Sequence, residues 1–223
     1  IGLGAIGSIC ATALQDCPDC HLQVLLDESR LERYQKAGIV FNGKRYDFDY
    51  VLSSQVVAPA QLIIVATKAL QLPQVLKMIE PLVGEKTIIL PLLNGISAEP
   101  ILADRFGWDK VLYGFYIGNA SMREGNRISF DQVGKVVFGN ADNRIFSQPV
   151  SAVGQLFDRA RLAYQVPSDM IFAKWQKFVI NVGLNQSTAL LRMDTGQICE
   201  SETGIQLANA LAREVIPLAQ AEG

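Results

Sequence analysis

The stretch from Lys177 to Thr188 has residue types and a spacing that suit chemistry on a small molecule. It lies in a proline-free segment, roughly residues 169–191, whose pattern predicts a helix. At about 100° per residue, Asn181 lies about 40° round this helix from Lys177, Asn185 about 80° and Thr188 about 20°. One cation and two amides on a single stripe suit holding and protonating a small oxygenated molecule. The alternative is a solvated helix face, but such faces usually carry Glu, Arg and more Lys.

Composition narrows the classes of protein that could present such a stripe. The 223 residues are 49% hydrophobic and 19% charged, which is typical of a globular protein with a large core. A formal net charge of −2 argues against nucleic acid as a partner, because phosphate-backbone binding needs concentrated Lys and Arg. No apolar run reaches the roughly 20 residues of a membrane span, so no membrane association is predicted.

Histidine and cysteine usage argues against hydrolytic and metal chemistry. His21 is the one histidine, which disfavours Ser-His-Asp hydrolysis and His-rich metal sites, so we predict no metal. Cys17 and Cys20 form a C-x-x-C motif, but a redox or zinc role needs a thioredoxin-type context or a second ligand pair. We expect a turn between a helix and a strand, with reduced thiols in a cytoplasmic protein.

A glycine loop opens the chain. Gly2, Gly4 and Gly7 fit G-x-G-x-x-G, in which the first glycine makes a tight turn, the second lets backbone approach a pyrophosphate and the third packs helix on strand. Ala5 and Ile6 would begin the following helix, and its amides would face the pyrophosphate. Because Ile1 directly precedes the loop, we expect the first strand to be truncated.

The next elements support a dinucleotide-binding βαβ unit. Residues 22–26 predict a buried strand, and Asp27 falls 20 residues after the last glycine, where an acidic residue commonly binds ribose. Asp27-Glu28 would repel the 2′-phosphate of NADP, which favours NAD. Arg30 could instead pair with that phosphate and favour NADP. It could equally lie on an exposed helix face with Ser29 as N-cap, so this choice stays open.

Two polar side chains follow consecutive predicted strands. Residues 62–66 and 87–93 predict buried strands, and Lys68 and Asn94 stand just beyond them. In open α/β sheets, ligands bind at the carboxyl ends of the strands. A surface lysine and a turn asparagine are the ordinary explanations for each residue alone. Their shared position shifts the interpretation towards a site.

The rest of the chain completes an α/β domain and begins a helical one. Besides an Asn42-Gly43 hairpin, we expect strands 127–130 and 135–138 to pair with each other and a short last strand to end near Val166. The prediction is a Rossmann-type doubly wound domain, residues 1–166, followed by an all-helical domain, residues 167–223. In the latter, Thr195-Gly196 would separate the long helix from one running from Glu202 to the chain end, and both chain ends are expected to be incomplete.

Taken together, these motifs resemble the ketopantoate reductase (2-dehydropantoate 2-reductase) family. The resemblance rests on four motifs that span essentially the whole chain: Gly2-x-Gly4-Ala-Ile-Gly7, Val65-Ala-Thr-Lys68-Ala, Leu93-Asn94-Gly95 and Lys177-x3-Asn181-x3-Asn185-x2-Thr188. The lysine–asparagine helix, together with the Lys68 and Asn94 motifs, is far more specific than the glycine loop. Two features depart from the family pattern: Asn185-Gln-Ser-Thr188 replaces Asn-Pro-Leu-Thr, and Asp27-Glu28 stands where a basic residue is usual.

The resemblance implies a function and roles for the site residues. The family reduces 2-ketopantoate with NADPH, which implies Lys177 as general acid and Asn181 and Asn185 as substrate-binding groups. Lys68 and Asn94 would line the nicotinamide and substrate side of the cleft. The partner is then a small 2-keto acid, and a homodimer is compatible with this reading. Two alternatives are a reductase of another small 2-keto acid and a dinucleotide-binding sensor without turnover.

Overall fold

The chain folds as two units, Ile1–Met170 and Ile171–Gly223, in a computed structural model that describes residues 1–55, 58–118 and 120–222. The first unit combines strands with helices, and the described part of the second is helical. The α/β class with a helical second part is therefore confirmed. The predicted boundary near Val166 lies just before the division, and the predicted helix end at Gly223 lies outside the described residues.

The helices and strands follow one another in the order of a largely α/β chain. The helices are α1 Ala5–Gln15, α2 Glu28–Ala37, α3 Leu72–Ile79, α4 Ala98–Phe106, α5 Gln148–Arg159, α6 Met170–Leu191, α7 Thr195–Glu200 and α8 Glu202–Ala221. The strands are β1 Gln23–Leu26, β2 Ile39–Phe41, β3 Lys44–Tyr46, β4 Asp49–Leu52, β5 Leu62–Val65, β6 Ile88–Pro91, β7 Tyr113–Ile117, β8 Ala120–Glu124, β9 Arg127–Gln132, β10 Lys135–Gly139 and β11 Tyr164–Gln165. Among the described residues, no helix is long and apolar enough to cross a membrane.

Parallel pairing dominates around the glycine loop. Strand β1 pairs in parallel with β4, and β5 with β6. Ile1 lies beside β5, because its nitrogen donates to Ile64 O at 2.8 Å and Ala66 N donates to Ile1 O at 2.9 Å. Ile1 thus lies where a strand parallel to β5 would run. A separate sheet has the order β3-β2-β9-β8 and includes the predicted Asn42-Gly43 hairpin.

The predicted pairing of residues 127–130 with 135–138 is wrong. Strand β9 pairs with β8 and β2, whereas β10 pairs with β7 and β11. Burial explains the separation: β9 alternates, with Ile128 buried between exposed Arg127 and Ser129, while Val136 to Gly139 are all buried. Alternation marks a strand with one wet face, and a continuous buried run marks one covered on both faces.

The predicted break at Thr195-Gly196 is also wrong, because α7 begins there. Asp194 is the N-cap, its carboxylate accepting from Gln197 N at 2.8 Å, while Gln197 Oε1 accepts from Asp194 N at 2.9 Å. This reciprocal pair is a capping box, which starts a helix. The chain turns instead at Arg192, whose φ is +54°.

Close approach of two helices fixes the orientation of α6 within the second unit. A Cβ added at Gly183 would lie 2.8 Å from Ala208 O of α8 and 3.2 Å from the Ala212 Cβ. The absence of a side chain therefore lets α6 and α8 pack backbone to backbone. Gly183 lies about 160° round α6 from the middle of the Lys177–Thr188 stripe. The face that α8 covers is thus the one opposite the polar stripe.

The core of the first unit depends on aromatic contacts between the sheet and α5. Phe138 and Phe157 are fully buried, with ring centroids 5.5 Å apart at 77°, and Tyr164 packs against both rings. Ile9 and Cys10 of α1 belong to the same buried cluster. This packing anchors the helix that follows the glycine loop.

We expect Phe138→Ala to lower the free energy of unfolding by about 3–5 kcal/mol, because it leaves a cavity in this cluster. The measurement is chemical denaturation of the purified chain. Met122→Ala is the control, since Met122 is exposed and its truncation should change stability by less than about 0.5 kcal/mol. Equal effects of the two variants would contradict this account of the core.

Candidate active site

Gly2 and Gly7 are required by the backbone itself. Gly2 has φ +94°, and a Cβ there would lie 2.6 Å from Ala66 O. At Gly7 an added Cβ would lie 1.8 Å from Gly2 O, closer than any real contact. The tight turn and the close helix packing predicted from G-x-G-x-x-G are therefore present as specific contacts.

Gly4 faces open space instead. It is the N-cap of α1, and an added Cβ would meet nothing nearer than Ala66 O at 4.0 Å. The first intrahelical hydrogen bond runs from Ser8 N to Gly4 O at 3.0 Å, and α1 has no side-chain cap. The amides of Ala5, Ile6 and Gly7 consequently have no acceptor among the described residues. Unpaired amides at a positive helix end fit a pyrophosphate, so these residues suit a dinucleotide.

Asp27 closes the N-terminus of the next helix. It follows β1 directly and is the N-cap of α2, and this corrects the prediction of Ser29 as N-cap. Its Oδ1 accepts from Arg30 N at 3.0 Å and from Ser29 Oγ at 2.6 Å. Its Oδ2 lies 3.4 Å from Arg30 Nε. Arg30, predicted to bind the cofactor, is therefore tied to the carboxylate predicted to bind ribose.

A small cavity connects the glycine loop with Asp27. Its lining includes Gly2, Asp27, Arg30, Thr67, Gln71 and Gln74. The Thr67 hydroxyl is buried and has no hydrogen-bond partner among the described residues. A buried unpaired hydroxyl normally indicates an absent partner, so Thr67 joins the candidate site. No sequence pattern indicates a role for Thr67, Gln71 or Gln74, although Thr67 directly precedes Lys68 beyond the end of β5.

Lys68 and Asn94 lie at the same edge of the sheet. Because Val65 of β5 pairs with Pro91 of β6, each residue stands three positions beyond a paired strand end. Both side chains are exposed, and neither forms a hydrogen bond or ion pair within the described part of the chain. A cation and an amide at a carboxyl strand edge are available to a ligand.

The polar stripe of α6 is partly accessible. Lys177, Asn181 and Thr188 are half-buried and Asn185 is exposed. The Thr188 hydroxyl donates to Asn185 O at 3.0 Å, so it is engaged with its own helix. The side-chain amides of Asn181 and Asn185 make no hydrogen bond to any described residue. Two amides remain on this face that a small molecule could engage.

Burial changes the acidity of Lys177. Removal of the ammonium from water lowers the pKa of Lys177 from its ordinary value. A lowered pKa makes the ammonium a stronger acid, which favours proton donation. The lowered pKa of Lys177 is therefore compatible with the predicted role as a proton donor.

The cysteines and the depression beside β11 do not add to the candidate active site. Cys17 and Cys20 lie in a turn, with Cys20 N donating to Cys17 O at 3.2 Å, and all four cysteines are free. Within the described ranges, no group of three or more His, Cys, Asp and Glu could hold a metal ion. A wider depression beside β11 is lined by residues such as Phe146, Arg161 and Tyr164, and no predicted site residue lines it.

The two parts of the chain match two models of one family. Residues 1–143 match the model described as ketopantoate reductase PanE/ApbA, and residues 169–223 match its C-terminal counterpart. The chain belongs to the ketopantoate reductase family. Relatives in this family carry the name 2-dehydropantoate 2-reductase, and this family member is an NAD(P)H-dependent oxidoreductase.

Individual relatives show the extent of the similarity. The 2-dehydropantoate 2-reductase of Streptococcus pyogenes serotype M6 is 28% identical over 231 aligned positions, covering 100% of this chain and 73% of the relative. The structure of 2-dehydropantoate 2-reductase from Geobacter metallireducens GS-15 matches with a TM-score of 0.85 at 25% identity, covering 100% of this chain and 75% of that one. D-mandelate dehydrogenase with NADH and anilino(oxo)acetate shares the fold, with a TM-score of 0.85 at 21% identity over 99% and 72%.

The two kinds of glycine predict opposite responses to alanine. Gly7→Ala should destabilise the chain by several kcal/mol, because backbone must move to admit the Cβ. Gly4→Ala should leave the melting temperature nearly unchanged, since its Cβ would enter open space. Thermal unfolding of both variants checks this contrast. A Gly4→Ala variant as unstable as Gly7→Ala would show that the loop is packed differently.

Proposed function

We propose that this chain reduces 2-ketopantoate to pantoate with NAD(P)H, using Lys177 as general acid. The observation that carries the proposal is a half-buried lysine of lowered pKa beside two unengaged amides, Asn181 and Asn185. They share the face of α6 opposite the α8 contact at Gly183. A partly desolvated cation with neutral dipoles on the same helix face suits carbonyl reduction.

The glycine loop would hold the dinucleotide. Gly2 and Gly7 shape the turn, while Gly4, Ala5 and Ile6 present backbone to the pyrophosphate. The bound dinucleotide supplies the hydride. The family resemblance implies NADPH, whereas Asp27 is compatible with NADH. Because both dinucleotides contain the same pyrophosphate group, these loop residues would bind either one.

Lys68 and Asn94 would act at the reacting end of the cofactor and at the substrate. Both follow parallel strands at one edge, and an exposed amide beside an exposed ammonium suits a carboxylate substrate and a nicotinamide carboxamide. On α6, Asn181 and Asn185 would hydrogen-bond the hydroxyl and carbonyl groups of the substrate. Amides can donate to one oxygen and accept from another without adding charge.

Lys177 would act on the oxygen of the ketone. Hydride arrival at the carbonyl carbon builds negative charge on this oxygen, and a nearby ammonium both stabilises that charge and donates the proton that neutralises it. Burial favours the transfer, because it weakens the hold of the amine on its proton. Asn181 and Asn185 then fix the substrate without competing for the proton.

Lys177→Ala should cut turnover of 2-ketopantoate by roughly 10²–10⁴, the usual contribution of a general acid, while the dinucleotide still binds. Dinucleotide oxidation measures turnover, and quenching of protein fluorescence measures binding. Gln176→Ala is the matched control, since Gln176 is the exposed neighbour on the same helix. Near-normal turnover in Lys177→Ala would remove the proposed role.

The pH dependence of reduction tests the same role independently. The protonated amine is the active form, so turnover should be full below the pKa of Lys177 and fall as pH rises through it. Because burial lowers this pKa, the fall should begin below the ordinary lysine value of about 10.4. In Lys177→Arg the remaining activity should lose this basic limb, since guanidinium stays charged. A limb that survives in that variant belongs to another group.

A panel of small 2-keto acids separates the remaining possibilities. Preference for 2-ketopantoate over pyruvate and a phenyl-substituted 2-keto acid would support the proposal. Preference for another member of the panel would favour the sister reductase. Binding of dinucleotide without oxidation by any 2-keto acid would favour the non-catalytic sensor.

The predicted homodimer is checked separately by analytical sedimentation.

A further inference from the structure

The N-termini of α1 and α2 differ in whether a negatively charged side chain of the protein already caps them. The N-terminus of α1 has no side-chain cap, and the Ala5 and Ile6 amides find no acceptor in the part of the chain that the structure describes. The N-terminus of α2 is capped by the Asp27 carboxylate, which accepts from Arg30 N at 3.0 Å. An anion of the ligand can therefore sit at α1, whereas the equivalent position at α2 already holds an anion of the protein.

The cation closest to Asp27 is also engaged. Arg30 Nε lies 3.4 Å from Asp27 Oδ2, and the two side chains are 39% and 22% exposed. Arg33, the next arginine on α2, places its guanidinium 4.9 Å from the centre of the Tyr34 ring. A phosphate entering here would have to approach the Asp27 carboxylate and compete with it for Arg30.

The carboxylate retains acceptor capacity on the side of the cavity. A carboxylate has about four acceptor sites, and the described partners of Asp27 are Arg30 N, Ser29 Oγ and Arg30 Nε. The cavity that Asp27 lines also includes Gly2, so it adjoins the loop proposed to hold the pyrophosphate. The adenosine ribose lies next to the pyrophosphate in any such dinucleotide, which brings its 2′ position towards Asp27.

We propose that Asp27 makes this enzyme select NADH over NADPH. A ribose 2′-hydroxyl can donate to the free acceptor site of Asp27, forming a charge-assisted hydrogen bond. A 2′-phosphate carries about −1.5 to −2 charges and would be repelled by the same carboxylate. The inference rests on the proposed function and departs from the NADPH dependence that the family resemblance implies.

Binding measured without substrate tests the inference separately from catalysis. Dissociation constants for NADH and NADPH, obtained from protein fluorescence, should differ by roughly 10- to 100-fold in favour of NADH, the range expected for a hydrogen bond to a charged group. The fragments ADP-ribose and 2′-phospho-ADP-ribose should show the same order. This order would establish that the selection lies at the ribose and not at the nicotinamide.

Asp27→Asn is the matched variant. Asparagine caps helices as well as aspartate, so α2 should remain folded, which the melting temperature checks. Loss of the charge should reduce the NADH preference about 10-fold or more, with weaker NADH binding and stronger NADPH binding. Glu32→Gln removes an exposed charge from the same helix at a position that does not line the cavity, and it should leave the preference largely unchanged.

Three results would overturn the inference. They are NADPH binding as tight as NADH in the unaltered chain, an unchanged preference in Asp27→Asn, and an equal loss in Glu32→Gln. Failure of the proposed function looks different: 2-ketopantoate would not be reduced with either dinucleotide, while the preference for NADH in binding would remain measurable. Efficient reduction with NADPH as preferred cofactor would remove the inference alone.

Discussion

The approach of Gly7 to Gly2 is the contact on which the candidate site depends. With 1.8 Å between an imagined Gly7 Cβ and Gly2 O, only two bare backbones can meet there. This contact sets where α1 begins relative to the strand ends. Ile9 and Cys10 then bury α1 in the core, so the helix axis cannot swing. The open amides beyond Gly4 are thereby held at a fixed place without any side chain directed at the ligand.

The N-termini of α1 and α2 underlie the proposed discrimination between NADH and NADPH. Helix ends attract anions because their first amides lack partners. Gly4 has no side chain that could accept from the first amides of α1, whereas the Asp27 carboxylate accepts from Arg30 N at the start of α2. With glycine as its N-cap, α1 offers a binding position for a negatively charged group. With aspartate as its N-cap, α2 already carries a negative charge there. The proposed selection between dinucleotides rests on this arrangement, since NADH and NADPH differ by a single phosphate.

Much of this arrangement could be predicted from sequence, because it rests on local rules. Glycine spacing specifies the turn whatever surrounds it, and 3.6 residues per turn place Lys177 and Asn181 on one stripe. The strand pairing of residues 127–139 could not be inferred from the Gly134 turn, since a turn signals a reversal and not the partner strand. The order of apolar and polar residues does distinguish the two strands. Val136–Phe138 is a continuous apolar run, whereas apolar and polar residues alternate around Ile128.

Partners of charged groups were the part that local rules could not supply. Arg30 three residues after Asp27 is compatible with an arginine that binds phosphate and with one that pairs to the carboxylate. The sequence is identical in both cases, and only the N-cap geometry of Asp27 distinguishes them. Thr67 could not be predicted from sequence for a related reason, because the lack of a partner for its hydroxyl depends on what surrounds it in space.

The neutral neighbours of Lys177 have a physical rationale under the proposed role. A carboxylate at Asn181 would stabilise the ammonium, raise its pKa and oppose proton release. Amides orient a substrate without that effect. The lowered pKa has a thermodynamic consequence, because the unfolded chain then binds the Lys177 proton more tightly than the folded chain does. Between the lowered and the ordinary pKa, folded-state stability rises with pH, and below that window the folded state bears the cost of a desolvated ammonium. The property that suits Lys177 to the proposed proton donation therefore lowers the stability of the folded state below that window, whereas the close packing of α6 on α8 at Gly183 contributes to the stability of the same helical unit.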